Sequence, residues 1–156
     1  MVPLIEYLHS LASAILVGKV ILLSFVVAPI LAKSLEREQF GLVVRRLFPA
    51  YYALGVGSAI LGLVSLSGLA MIHGLSLSLL VAGGIWLIIL AAEAYCRSPL
   101  TPQSNAMRDR LKEQESRGAV DPALQTAWNR LHQRSVYLNS MVLLAGLYLI
   151  WLAQRL

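Results

Sequence analysis

A lysine and a glutamate set in apolar surroundings are the residues of this chain with the most chemistry to offer. Lys19 interrupts the run LVGKVILL and Glu93 interrupts ILAAEAY. Opposite charges in such settings form an ion pair, relay a proton or hold a solute, and an embedded charge is a functional hypothesis by default. Asn139 is a third polar residue inside an apolar run. His9, His73 and His132 are the candidate ligand or interface positions, and Met71 near His73 adds a thioether that would suit copper. Ordinary interfacial placement is the favoured reading of His9 and His73, and anchoring of a helix or contact with anionic headgroups that of His132. Cys96 is the single cysteine, which excludes an internal disulfide or a thiolate cluster within one chain. It reads as a reduced thiol at the membrane edge, with palmitoylation as the alternative. No phosphate-cradling loop, metalloprotease motif or nucleophile beside a base appears, so no catalytic or metal-ligating residue is assigned.

Four apolar runs must position these groups: Leu4 to Ala32, Tyr51 to Met71, Leu77 to Ala94 and Val136 to Ala153. Each is long enough to cross a hydrocarbon core of about 30 Å at about 1.5 Å per residue. With 58% hydrophobic and 13% charged residues, the 156-residue chain has room for four spans and two modest connections in one domain. The expected fold is therefore all-α, an integral membrane up-and-down four-helix bundle with amphipathic connections. The first run is expected to be retained rather than cleaved as a signal, being too long for a signal-peptide core and lacking a basic residue before it.

The net charge of +5 reports topology rather than nucleic-acid binding. Lys33, Arg37, Arg45 and Arg46 lie between the first two spans, and Arg97, Arg108, Arg110, Lys112, Arg117, Arg130 and Arg134 between the last two. The positive-inside rule puts both connections in the cytoplasm, against anionic headgroups, and both termini outside, in the inner membrane if the source is bacterial.

The first connection mixes charges with Leu35, Phe40, Leu42 and Val44, which suits a short interfacial helix ended by Pro49. Tyr51 and Tyr52 then fit an interfacial aromatic belt. Gly55, Ser58 and Gly62 supply small residues for close helix packing, as do Gly83 and Gly84 in the third span. Pro99 and Pro102 are expected to stop the third helix, leaving Arg97 to Asp121 as a polar stretch. Asp121 before Pro122 marks the start of the last helix.

The segments SLEREQFGLVVRRLFPAYY (Ser34 to Tyr52) and LHQRSVYLNSMVLLAGL (Leu131 to Leu147) resemble the transmembrane protein 205-like family, small four-span proteins of undefined activity. The resemblance implies transport or trafficking at most. More distantly, a histidine early in the first span is similar to copper resistance protein D and to HemJ-type proteins. Against the family pattern, Lys19 stands where a small or apolar residue is usual, and Glu93 where asparagine is common.

Depth counting links these two departures. Measured from the outer ends, Lys19 lies roughly 22 Å deep, Glu93 roughly 24 Å and Asn139 roughly 21 Å, a single polar layer. A structural ion pair is favoured over a pathway for protons or solutes, because buried pairs are often retained without a catalytic role. His9 and His132 are separated by roughly 24 Å along the axis and cannot share one haem iron. The function expected is a non-enzymatic membrane protein that moves a small solute or metal species, or an accessory subunit of a larger complex. A homo-oligomer or partner would enclose any pathway. The alternative is a redox protein carrying haem b or copper; otherwise no cofactor is expected.

Overall fold

The computed structural model describes residues 2–155, without the side chain of Arg155. The described residues form helices joined by short turns and contain no strand. Helix α1 (Val2–Ile21) passes through a widened π-helical segment, Leu22–Val27, into α2 (Ala28–Ser34). Pro29 lies in the first turn of α2 and offers no N–H, so the widened turn stands where the regular ladder would lose a donor. Extended backbone at Leu35 and Glu36 then ends the first crossing.

Helix α3 (Arg37–His73) is a single element of 37 residues with Pro49 inside it. Pro49 therefore does not separate an interfacial helix from the second span, as its sequence position suggested. Proline removes one ladder bond, but the turns on either side are tied to other helices. Arg45 bonds the Asn105 carbonyl at 3.2 Å and the Asp109 carboxylate at 2.5 Å, while Tyr51 and Tyr52 are buried in the bundle.

A tight hairpin follows, with Gly74 at φ 79°. Only a residue without Cβ takes that conformation at no steric cost. The Ser76 hydroxyl accepts from the Leu79 amide at 3.2 Å and starts α4 (Leu77–Tyr95). Beyond Cys96 the chain kinks at Ser98, whose backbone is extended, and the Ser98–Pro99 peptide is cis. The Thr101 hydroxyl donates to the Cys96 carbonyl at 2.7 Å across this kink.

The polar stretch after Pro99 forms a helix of its own, α5 (Thr101–Ser116). Pro99 marks the kink, while Pro102 sits in the first turn, where its missing N–H costs nothing. Gly118, at φ 82°, turns the chain, and α6 (Pro122–Leu152) begins at Asp121, which accepts from the Ala123 amide at 2.8 Å. A short 3₁₀ turn, Ala153–Arg155, closes the described chain.

Among the described residues, four units are long and apolar enough to cross a membrane: Val2–Ser34, Arg37–His73, Leu77–Ser116 and Pro122–Leu152. Their outer faces carry Leu4, Phe25, Val64, Leu87 and Leu144, whereas His9, Ser13, Lys19, Ser58, Ser65 and Glu93 are buried inside. This arrangement, polar inside and apolar outside, is that of an integral multi-pass membrane protein.

The seams follow small residues on α3. The buried positions Tyr51, Tyr52, Gly55, Ser58, Ala59, Gly62, Ser65, Leu66 and Leu69 recur in the alternating three- and four-residue steps of one helix face. A methyl added at Gly62 would lie 2.3 Å from the Trp86 ring of α4, so glycine is what lets that ring pack there. Gly83 and Gly84 do not take part in close packing; neither would meet an atom within 4 Å on gaining a Cβ.

Candidate functional site

Lys19 of α1 and Glu93 of α4 are both almost fully buried, and Lys19 Nζ lies 2.6 Å from Glu93 Oε1. Gly55 of α3 faces them: a Cβ there would fall 2.2 Å from Glu93 Oε2 and 2.6 Å from Lys19 Nζ. The missing side chain leaves the volume that the pair occupies. Glu93 Oε2 has no hydrogen-bond partner in the protein.

Tyr51 supplies a third neighbour. Its ring centroid is 3.9 Å from Lys19 Nζ, a cation–π contact of short range, and the Tyr52 centroid is 5.7 Å away. The Tyr51 hydroxyl donates to Asn139 Oδ1 at 2.7 Å. Asn139 Nδ2 in turn donates to the Tyr52 hydroxyl at 3.2 Å and to the Ser135 carbonyl at 2.8 Å. Asn139 therefore joins the pair through the tyrosines rather than by direct contact. The tyrosines are not an interfacial belt; they are the bridge between the charged pair and α6.

His9 lies elsewhere on α1 and inside the bundle rather than at a membrane edge with His73. It is 1% exposed, its Nδ1 is 3.4 Å from the Ser65 hydroxyl, and its ring meets the edge of Trp86 at a centroid distance of 5.9 Å. Neither His9 Nε2 nor Trp86 Nε1 has a hydrogen-bond partner in the protein. His73 and Met71 are exposed at the end of α3, so the three residues considered for copper are not one constellation. Among the described residues no group of three His, Cys, Asp or Glu side chains is spaced to hold a metal. His132 stacks on Trp128, with rings 8° from parallel and centroids 5.7 Å apart. Cys96 is 2% exposed, so its thiol is covered inside the bundle rather than presented at the membrane edge.

The polar network forms one wall of a cavity of about 550 Å³ at the polar end of the bundle. Leu23, Ser24 and Phe25 of the π-helical segment line it, with Phe40, Val44 and Tyr51 of α3, Arg108 of α5 and Trp128, His132 and Asn139 of α6. Its size falls in the range of about 300 to 1,000 Å³ typical of small-molecule sites. π-helical turns recur at functional sites because they redirect side chains without breaking the helix.

At the same end, α3 and α5 are clasped by three ion pairs: Arg37 with Glu115 at 3.4 Å, Arg45 with Asp109 at 2.5 Å, and Lys112 with Glu38. Lys112 holds the Glu38 carboxyl below its usual range. Burial, with Arg45 next in effect, lowers the pKa of Arg108, on α5 beyond the apolar run of α4.

The matched family model, a domain of unknown function (DUF4149), covers residues 11–113, well over half of the chain. The chain belongs to the DUF4149 family. The matched part of this DUF4149 protein contains Lys19, Tyr51, Glu93 and Arg108 and stops before Trp128, His132 and Asn139. An uncharacterized protein of Aquifex aeolicus (strain VF5) is 58% identical over 33 residues, which are 21% of this chain and 25% of that relative. The match thus spans a quarter of the relative's length. No solved structure matches this DUF4149 protein.

Neither tyrosine was recognisable as part of the site from sequence. The available signal was their spacing: Tyr51 and Tyr52 continue the Gly55, Ser58 and Gly62 face back by one turn, which puts them on the packed side. Arg108 carried no such signal, because its place depends on the kink that swings α5 against α3.

Proposed function

We propose that this DUF4149 protein is a non-enzymatic membrane protein that admits a small solute to the cavity at its polar end and passes it on. One observation carries the reading: a cavity of about 550 Å³ is walled on one side by the Tyr51, Asn139 and Tyr52 network that leads to the buried Lys19–Glu93 pair. Ionisable residues buried between membrane helices mark solute and ion pathways, and the space beside this pair has the size of a small-molecule site. The basic residues around α3 and α5 support a cytoplasmic position for this end, with both termini outside. The transmembrane protein 205-like resemblance belongs to the same proposal.

A four-helix bundle encloses little volume, so passage across the whole bilayer would use a second copy or a partner subunit. The test is flux of candidate small solutes into vesicles holding the purified full chain. Flux that falls at least tenfold with Asn139→Leu supports the reading. Flux equal to protein-free vesicles for every solute, with the protein folded, overturns it in favour of an accessory subunit.

A further inference from the structure

Arg108 stands at the boundary between two spaces. On one side is the largely apolar cavity; on the other is a polar cleft of about 400 Å³ lined by Arg37, Glu38, Arg45, Asp109, Lys112 and Glu115. The three acids of that cleft are each bonded to a different base, Glu115 to Arg37, Asp109 to Arg45 and Glu38 to Lys112. The cleft therefore holds four bases and three acids, and among the described residues Arg108 has no ion-pair partner. Asp109, whose charge reaches it, is the one bonded to Arg45.

The guanidinium is nonetheless held in place. Arg108 Nη1 donates to the Gly41 carbonyl at 3.2 Å, and a Cβ at Gly41 would lie 2.9 Å from the same nitrogen. A half-buried cation, fixed by one backbone bond and lacking a carboxylate, retains donors for an anion. Beyond it the cavity wall includes Leu23, Phe40, Val44 and Leu47, and the lining runs from buried Val20 and Leu100 to Phe25, which is exposed on the outer face.

We propose that the cavity takes an anionic amphiphile, with one acyl chain against the apolar wall and its phosphate or carboxylate head on Arg108. Charge complementarity selects the head and the apolar wall selects the chain. The opening beside Phe25 lets the chain enter from the bilayer. This inference rests on the cavity being the solute site proposed above, and it names the class of solute.

The experiment uses the purified full chain in a non-ionic detergent and follows binding by native mass spectrometry with melting temperature alongside. The probes are a monoacyl phosphate, a fatty acid, a zwitterionic monoacyl phosphocholine of equal chain length, and inorganic phosphate. The two anionic amphiphiles should bind about tenfold or more tightly than the phosphocholine, as expected of a charged hydrogen bond, and inorganic phosphate should not bind measurably. Arg108→Gln should abolish the preference and Arg108→Lys should keep most of it; Ser140 of α6 also lines the cavity, and Ser140→Trp should weaken both classes of amphiphile. Equal binding of anionic and zwitterionic chains, a preference that survives Arg108→Gln, or binding of inorganic phosphate as strong as that of the amphiphiles would overturn the proposal. Amphiphile binding without any flux would overturn solute passage and leave the ligand class standing. Flux of a polar solute with no amphiphile binding would do the reverse.

Discussion

Lys19 Nζ lies 2.6 Å from Glu93 Oε1 and 3.9 Å from the centre of the Tyr51 ring, so one buried ammonium is shared by a carboxylate and an aromatic face. Three helices meet at this atom: α1 brings the charge, α4 the counter-charge and α3 the ring. Gly55 makes the meeting possible by leaving out a side chain.

Breaking the pair should cost more than deleting it. Glu93→Gln or Lys19→Met alone leaves an uncompensated buried group and should lower stability by about 3 to 5 kcal/mol, whereas the double variant should be markedly better tolerated than the sum. Reversible unfolding in detergent, followed by circular dichroism over all four proteins, measures the coupling. Strictly additive losses would sink the pairing.

Glycine positions on α3 and α4 should separate into two classes. Gly55→Ala and Gly62→Ala push a methyl to 2.2 Å from Glu93 Oε2 and 2.3 Å from the Trp86 ring, and each should destabilise by about 1 to 3 kcal/mol. Gly57→Ala and Gly83→Ala meet nothing within 4 Å and should be neutral or stabilising by up to about 1 kcal/mol. Melting temperatures of the four variants decide the matter.

The two functions of Tyr51 can be split. Tyr51→Phe keeps the ring against Lys19 and removes the 2.7 Å bond to Asn139, at a cost of about 0.5 to 1.5 kcal/mol. Tyr51→Leu removes the cation–π contact as well and should cost more. If the two variants melted together, the ring would contribute nothing to holding the ammonium.

Acid should loosen the α3–α5 clasp before it affects the apolar bundle. The folded-state pKa of Glu38 is lowered by its bond to Lys112, so the folded protein binds the proton less readily than the unfolded chain. The stabilisation is complete above the ordinary glutamate value of about 4.3 and is lost as pH falls through the lower folded value. Hydrogen exchange of α5 amides at successively lower pH should show opening there while the α1 and α3 core stays protected. Because Glu38 is exposed, Glu38→Gln should shift global stability very little.

Orientation is open to a direct check. A cytoplasm-only reporter should be active when inserted at Gly118 and silent at Gly74, and the reverse result would invert the proposed topology.

The spans were legible because hydropathy alone measures them: four apolar runs of bilayer length have no alternative solution in a chain of this size. Depth along each helix was also legible, since it needs only a rise per residue, and it puts Lys19 and Glu93 on one level. Rotation about each helix axis was not. A helix that is apolar nearly all round gives no pattern to say which side faces its neighbours. Tyr51 and Tyr52 therefore suited a membrane interface as well as a core, and His9 suited a rim as well as the Trp86 contact. Pro49 misled for a different reason. It carries a local breaker signal, but the Arg45 contacts to α5 and the burial of Tyr51 and Tyr52 support helix on either side.

By itself, then, the sequence determined the membrane class, the number of long apolar helices and the shared axial level of Lys19 and Glu93, because these follow from length and transfer energy. The partners of Lys19, the burial of His9 and the cavity beside Arg108 were decided by the tertiary structure. Each depends on azimuth and on the kink at Ser98, which arise only when four helices pack against one another.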